Sequence, residues 1–331
     1  MDKRINWGIL STAKINPALI KPLRGSKRTE LLAVASRSQS SADAYAREWK
    51  IPRAYGTYDE LLSDPDIDVI YNPLPNNMHT EWTVKAMRAG KHVLCEKPLA
   101  LTLAEVDEII AVSKETGKVV TEAFMYRHHP QTLKVQEIVA SGVLGKLQLI
   151  KGSFTFTLNR KGNYRFVKEM GGGSIWDVGC YPISYARMVV GEEPVEVFGW
   201  QVLGQDGADD TFVGQMKFSN GVLAQFDSSF ILPPRKFMEI VGREGILKIP
   251  NPFNPRGKCE IILSKDGVDK TINFKNVDLY SGEVEDMCNA VEFGNKPRVS
   301  LDDSRGNAAV ILSLIGSAET KKPVIMQPPY S

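Results

Sequence analysis

No apolar run in this sequence approaches the roughly 20 residues that a membrane-spanning helix requires, so it reads as a soluble protein. The opening stretch Ile5–Leu10 is broken by Asn6 and is too short for the core of a signal peptide. Cysteine is scarce: the four, at positions 95, 180, 259 and 288, form no C-x-x-C pair. That spacing excludes a zinc knuckle and a disulfide framework, and a reducing cytoplasm is the compartment it fits. Histidine is equally scarce; His128 and His129 are adjacent, His92 lies in a strand-like run, and the four do not make a metal site. No charge of one sign dominates either, since 41 Lys and Arg stand against 39 Asp and Glu. The formal charge of +2 gives no electrostatic reason to expect nucleic acid or an anionic membrane as a partner. Repeats and low-complexity tracts are missing as well.

What is present is length and pattern. At 331 residues the chain can bury a substantial core, and two domains are the better expectation. From residue 5 to about 122, β-rich runs alternate with helical segments, the pattern of a parallel α/β unit. The runs are 5–10, 31–36, 69–71, 92–95 and 118–121, with helices expected at 17–24, 42–49, 58–62, 79–89 and 103–116. Thr57 and Thr102 are suited to open the third and fifth helices, Glu105 completing a capping box with Thr102. Gly90 and Gly117 are placed to end helices. Five strands interleaved with helices predict a doubly wound, Rossmann-type dinucleotide-binding domain over residues 1–123. Beyond it the style becomes β-rich. Residues 211–218 alternate Phe212, Gly214, Met216 and Phe218 with Val213, Gln215 and Lys217, and Asn220-Gly221 offers a hairpin turn. A second hairpin is expected around Asp266-Gly267, and helices at 131–141, 182–190, 281–292 and 302–317. Residues 124–331 therefore read as an α+β domain with a large, mainly antiparallel open sheet, for substrate binding and oligomerisation.

Between the first strand and the first helix stands Ser11-Thr12-Ala13-Lys14-Ile15-Asn16, where a dinucleotide fingerprint would carry G-x-G-x-x-G. Ser11 and Ala13 are small replacements, Asn16-Pro17 reads as an N-cap followed by proline at N1, and the hydroxyls of Ser11 and Thr12 are potential phosphate donors. Lys14 can pair with the anion or be a solvated loop lysine. About 20 residues on, Ser36-Arg37-Ser38 occupies the place of the acidic residue that holds the ribose of NAD. Arginine there can clamp a 2′-phosphate, which favours NADP; the alternative is a surface arginine at a strand end.

Further motifs follow: Pro75-Asn76-Asn77-Met78-His79, Cys95-Glu96-Lys97-Pro98-Leu99-Ala100, Met125-Tyr126-Arg127-His128-His129-Pro130, and the stretch from Gly171 to Tyr181. With these motifs in this order, the chain resembles the glucose-fructose oxidoreductase, inositol dehydrogenase and rhizopine catabolism family of NAD(P)-dependent oxidoreductases. The similarity runs through nearly all of it. Within that family it is most similar to the dimeric dihydrodiol dehydrogenases and NADP-dependent D-xylose dehydrogenases, which share WGILSTA, FMYR and DVGCY. The inositol branch ends its D-x-x-x-H arrangement in histidine, whereas here Asp177 is followed by Tyr181. The resemblance implies a cofactor site drawn from Gly8, Ser11, Thr12, Ala13, Lys14, Ile15, Ser36, Arg37, Ser38, Leu74, Pro75, Asn76, His79, Glu96 and Lys97.

Oxidising an alcohol requires a base for the hydroxyl proton while hydride leaves for nicotinamide. A free tyrosine, with a pKa of about 10, is a poor base near neutrality, and an adjacent ammonium favours the phenolate. Lys97 suits the activator and Tyr181 the proton carrier, or the reverse; the bland alternative is a surface lysine and a packed tyrosine. Asp177, one turn before Tyr181 if the segment is helical, can bind substrate hydroxyls, orient Lys97, or be a helix cap. Arg127, Tyr164 and Trp176 are candidate substrate contacts or packing residues. The expectation is an NADP(H)-dependent oxidoreductase acting on a sugar or cyclic diol, first an aldose such as D-xylose, then a trans-dihydrodiol or keto-sugar. A non-catalytic NADP-binding regulator is the rival. A homodimer through the open sheet is expected.

Overall fold

A computed structural model describes residues 4–257 and 259–326. The chain divides into two compact units, Met1–Met125 with Tyr280–Arg305, and Tyr126–Leu279 with Gly306–Ser331. The single boundary expected after residue 123 leaves out the return of 280–305 to the first unit. The extreme ends of the expected domains, residues 1–3 and 327–331, lie outside the described residues.

The first unit is built on six parallel strands: β1 (Ile5–Leu10), β2 (Thr29–Ala35), β3 (Arg53–Tyr55), β4 (Val69–Asn72), β5 (His92–Glu96) and β6 (Val120–Ala123). Their order is β3-β2-β1-β4-β5-β6. The winding reverses between β1 and β4, and ligands of such sheets bind beyond the carboxyl ends of the strands at that point. The helices α1 (Asn16–Gly25), α2 (Gln39–Trp49), α3 (Tyr58–Leu62), α4 (His79–Arg88) and α5 (Leu103–Thr116) connect them. Strand β3 was not among the expected runs: at three half-buried residues it is too short to show a period. Thr57 and Thr102 both close capping boxes, with Glu60 and Glu105, and α5 ends on Gly117 in the left-handed conformation. Trp7, Ile9, Leu10, Val69 and Ile70 are fully enclosed, as the central strands of a two-sided sheet must be. Later segments are tied in by side chains: Arg28 bridges Glu285 at 2.9 Å and Glu292 at 2.6 Å, and the Thr121 hydroxyl donates to Val299 O at 2.8 Å.

The second unit carries α6 (Pro130–Ala140), β7 (Leu147–Thr155), α7 (Cys180–Val190) and β8 (Pro194–Leu203). Strands β9 (Asp209–Phe218), β10 (Leu223–Ser229), β11 (Arg235–Gly242), β12 (Gly245–Ile249), β13 (Cys259–Lys265) and β14 (Val268–Phe274) follow. After α8 (Ser281–Phe293) of the first unit, α9 (Leu301–Thr320) contains the unit boundary and β15 (Val324–Ile325) completes a nine-stranded sheet. Its order is β14-β13-β12-β11-β7-β10-β9-β8-β15. Only β7 and β10 run parallel among its described pairs. In β9, Phe212, Gly214, Met216 and Phe218 are buried while Val213, Gln215 and Lys217 are exposed, the alternation read from the sequence. Helix α7 lies close on the inner face, where a Cβ at Gly152 would stand 2.8 Å from Pro182 Cβ. Only glycine permits that approach.

Candidate active site

The loop after β1 leads into α1. Ser11 takes φ = 73°, the left-handed conformation for which glycine is the usual residue. Its Oγ is buried and has no hydrogen-bond partner among the described residues. A buried hydroxyl with nothing to bond is costly unless a ligand completes it. Thr12, Ala13 and Ile15 are half-exposed beside it, and Lys14 is exposed. Asn16 is not the N-cap: Ile15 holds that position without a side-chain cap, and Asn16 is the first, fully buried helical residue. Its Nδ2 donates to Ser11 O at 2.9 Å, so it braces the turn it was expected to cap. Gly8 lies inside β1, where a Cβ would meet Leu61 Cδ2 at 3.0 Å; packing against α3 accounts for this glycine and removes it from the cofactor loop.

At the end of β2, Ser36 is buried and its amide donates to Tyr55 O. Arg37 is exposed and makes no ion pair among the described residues. Ser38 caps α2, accepting from Ser41 N. The exposed guanidinium therefore sits one residue ahead of a helix N-terminus, an electropositive corner suited to a phosphate. Unpartnered Ser11 Oγ, the head of α1 and this corner fit a phosphorylated dinucleotide.

His79 is fully buried at the start of α4. Its Nδ1 lies 2.7 Å from Pro98 O and its Nε2 2.7 Å from Leu74 O. Burial draws its pKa down, against the two carbonyls, so the ring is held neutral and donates to one of them. Both nitrogens are spent within the protein, so His79 is a brace and not the cofactor contact expected. It grips the turn after Lys97 from one side. Glu122 grips it from the other, accepting from Leu99 N at 2.9 Å. Leu74 and Asn76 are buried and Pro75 half-buried, while Glu96 accepts from the Tyr71 hydroxyl at 2.6 Å. The Lys97–Pro98 bond is cis. Cys95 is no nucleophile, because burial pushes its thiol pKa far up.

In the second unit the segment Ile175–Gly179 is a π-helical turn that runs directly into α7. Asp177 lies in that turn and Tyr181 in the first turn of α7. Asp177 is not a cap; its Oδ2 accepts from Arg165 Nε at 3.0 Å. The Arg165 guanidinium also lies over the Tyr164 ring, 4.9 Å from its centroid, so Tyr164, Arg165 and Asp177 form one group. Asp209, at the head of β9, anchors the approach: its Oδ2 accepts from Ser174 Oγ at 2.5 Å and Ile175 N at 3.0 Å. Burial pushes its pKa up to about 7. Tyr181 is buried among Phe154, Tyr126 and Phe253, at ring separations of 5.3, 5.6 and 5.6 Å. Trp176 is buried, and Arg127 is buried with its Nη1 donating to Ser184 Oγ at 3.1 Å. Arg165, Asp209 and Phe154 were missed in the sequence, where no motif distinguishes them.

A doubly wound sheet with a phosphate-binding turn at its switch point, followed by an open-sheet domain carrying an Asp-x-x-x-Tyr turn, defines an NAD(P)-binding oxidoreductase. Residues 5–124 match the oxidoreductase family, NAD-binding Rossmann fold, and residues 132–248 match the GFO/IDH/MocA C-terminal domain. The chain belongs to the GFO/IDH/MocA family of oxidoreductases. It is 36% identical to D-xylose 1-dehydrogenase (NADP(+)) 2 of Haloferax volcanii, over 95% of this chain and 97% of that one. It is 30% identical to the trans-1,2-dihydrobenzene-1,2-diol dehydrogenase of Danio rerio, over 97% and 98%. Among solved structures it is similar to KijD10, a 3-ketoreductase from Actinomadura kijaniata in complex with NADP and TDP-benzene. The TM-score there is 0.89 and the identity 27%, with 95% of this chain and 98% of that one covered.

Proposed function

We propose that this protein is an NADP(H)-dependent oxidoreductase acting at an alcohol or carbonyl carbon of a sugar or cyclic diol, an aldose such as D-xylose first. The observation that carries the cofactor assignment is the pairing of the orphaned Ser11 hydroxyl with the unpaired Arg37 at the head of α2. The substrate class rests on the relatives, a D-xylose dehydrogenase that uses NADP(+) and a dihydrodiol dehydrogenase. When bound, the nicotinamide supplies the hydride acceptor or donor.

In this reading Tyr181 exchanges the proton of the reacting hydroxyl and the ammonium of Lys97 favours its phenolate form. His79 and Glu122 hold the turn that follows Lys97. Arg165 keeps Asp177 ionised and aimed, so that its carboxylate accepts from substrate hydroxyls. The test is a panel of aldoses, dihydrodiols and keto-sugars followed by NADPH formation or consumption. Turnover of at least one aldose is expected. Lys97→Ala and Tyr181→Phe should each lower it by orders of magnitude with NADP(H) affinity within several-fold. No turnover on the whole panel, or near-normal turnover in both variants, overturns the assignment.

A further inference from the structure

Lys236 is the cation of the second unit for which the fold provides no acid. Neighbouring strand residues point to opposite faces. On the outer face the cations of β7 and β11 have carboxylates: Arg235 bridges Asp227 at 3.1 Å and Lys151 lies 3.7 Å from Glu239. Lys236 points to the inner face, opposite Phe154 in the β7–β11 register. Its ammonium sits over the Phe154 ring, 5.1 Å from the centroid, and has no carboxylate partner among the described residues. Phe154 meets Tyr181 edge-on at 5.3 Å and stacks on Phe253 at 5.1 Å, so Lys236 is one ring removed from the proposed proton carrier. The charged group that acts on Lys236 is another cation, Arg256, three residues beyond Phe253 in the same loop, which likewise has no ion pair among the described residues. Burial and Arg256 together draw the Lys236 pKa down.

Two unneutralised cations against an aromatic wall form an incomplete ion site. We infer that Lys236, with Arg256, binds an anionic oxygen group of the substrate, a carboxylate or phosphate remote from the reacting carbon. The inference rests on the sugar-oxidoreductase reading and narrows it to acid-bearing sugars. The aromatic wall packs the apolar face of the ring, Tyr181 works at the reacting end, and Lys236 takes the acid at the other.

Calorimetric titration of the NADP(+)-loaded, full-length protein with D-glucuronate, D-glucose 6-phosphate and neutral D-glucose tests it. At least one acid should bind ten-fold or more tighter than D-glucose, and the one that does identifies carboxylate or phosphate as the group. In Lys236→Met, which keeps the stem over Phe154, the acid-to-neutral ratio should fall to within about three-fold, and Lys236→Arg should retain it. Equal binding of acids and D-glucose, absence of acid binding, or an unchanged ratio in Lys236→Met overturns the inference. Turnover of the same sugars is followed in parallel. An acid preference without turnover leaves Lys236 assigned and sinks the dehydrogenase reading; turnover without an acid preference does the reverse.

Discussion

Arg37 carries the cofactor choice in a form that one substitution can read. A guanidinium fork donates two charge-assisted hydrogen bonds to a 2′-phosphate, roughly 1.5 to 3 kcal/mol in all. At about 1.4 kcal/mol per factor of ten, the preference for NADP over NAD should be on the order of ten-fold to one-hundred-fold. That ratio of kcat/KM values should collapse in Arg37→Ala; a native preference for NAD, or an unchanged ratio, removes Arg37 from the pocket. Asp209 makes a different residue-scale prediction. Its pKa is pushed up to about 7 by burial, above the ordinary 3.8, so the folded state keeps a proton that the unfolded chain releases. The stability this contributes is complete at low pH and is lost as pH rises through about 7, a change of roughly 2 to 3 kcal/mol between pH 5 and 8. Asp209→Asn has no such proton to lose, so its Tm should gain on the native protein's between pH 5 and 8. A constant Tm difference contradicts the assignment.

At the scale of elements, the turn that feeds the π-helical segment depends on Gly173. Its φ is +125°, and a Cβ there would collide with Asp209 Oδ1. Gly173→Ala should therefore destabilise by roughly 3 kcal/mol or more, strain and overlap acting together. Gly162 provides the control, with φ +68° and nothing within 4 Å, so Gly162→Ala should cost only about 1 kcal/mol. Equal losses in urea unfolding would show that Asp209 moves aside. The capping boxes at Thr57 and Thr102 were legible because each is complete within four consecutive residues. Asn16 was misread as a cap because the same residue type serves a turn and a helix end, and only its bond to Ser11 O distinguishes them.

For the molecule as a whole, the open sheet has two unlike faces. Helices α7 and α9 cover one, Pro182 lying near Gly152 and Leu314 near Gly199. The other exposes Trp200, Val202, Val213 and Leu223 on adjacent strands, with Phe198 edge-on to Trp200 at 4.3 Å. We propose that a second copy covers this face, since an apolar patch of this kind on an isologous surface favours a two-fold pair. Sedimentation at micromolar concentration should give a dimer, and Trp200→Arg should shift it to monomer. A native monomer overturns the proposal.

Strand and helix periods, caps, hairpin turns and the phosphate loop are local, recurring within two to four residues, and these could be read along the chain before any fold was known. The Rossmann order, the alternation of β9 and the sites of Lys97 and Tyr181 in their motifs came from that level. The partners did not. Arg165 for Asp177, Asp209 for Ser174, Phe154 for Tyr181 and the return of residues 280–305 join positions from 12 to more than 250 residues apart, as Arg28 and Glu285 are. Which acid meets which base over such separations is decided by the packing of sheets and helices, because every charged side chain has many suitable partners in sequence and only the folded backbone brings one within reach. Lys236 shows the same rule from the other side: its exclusion from every carboxylate exists only in three dimensions.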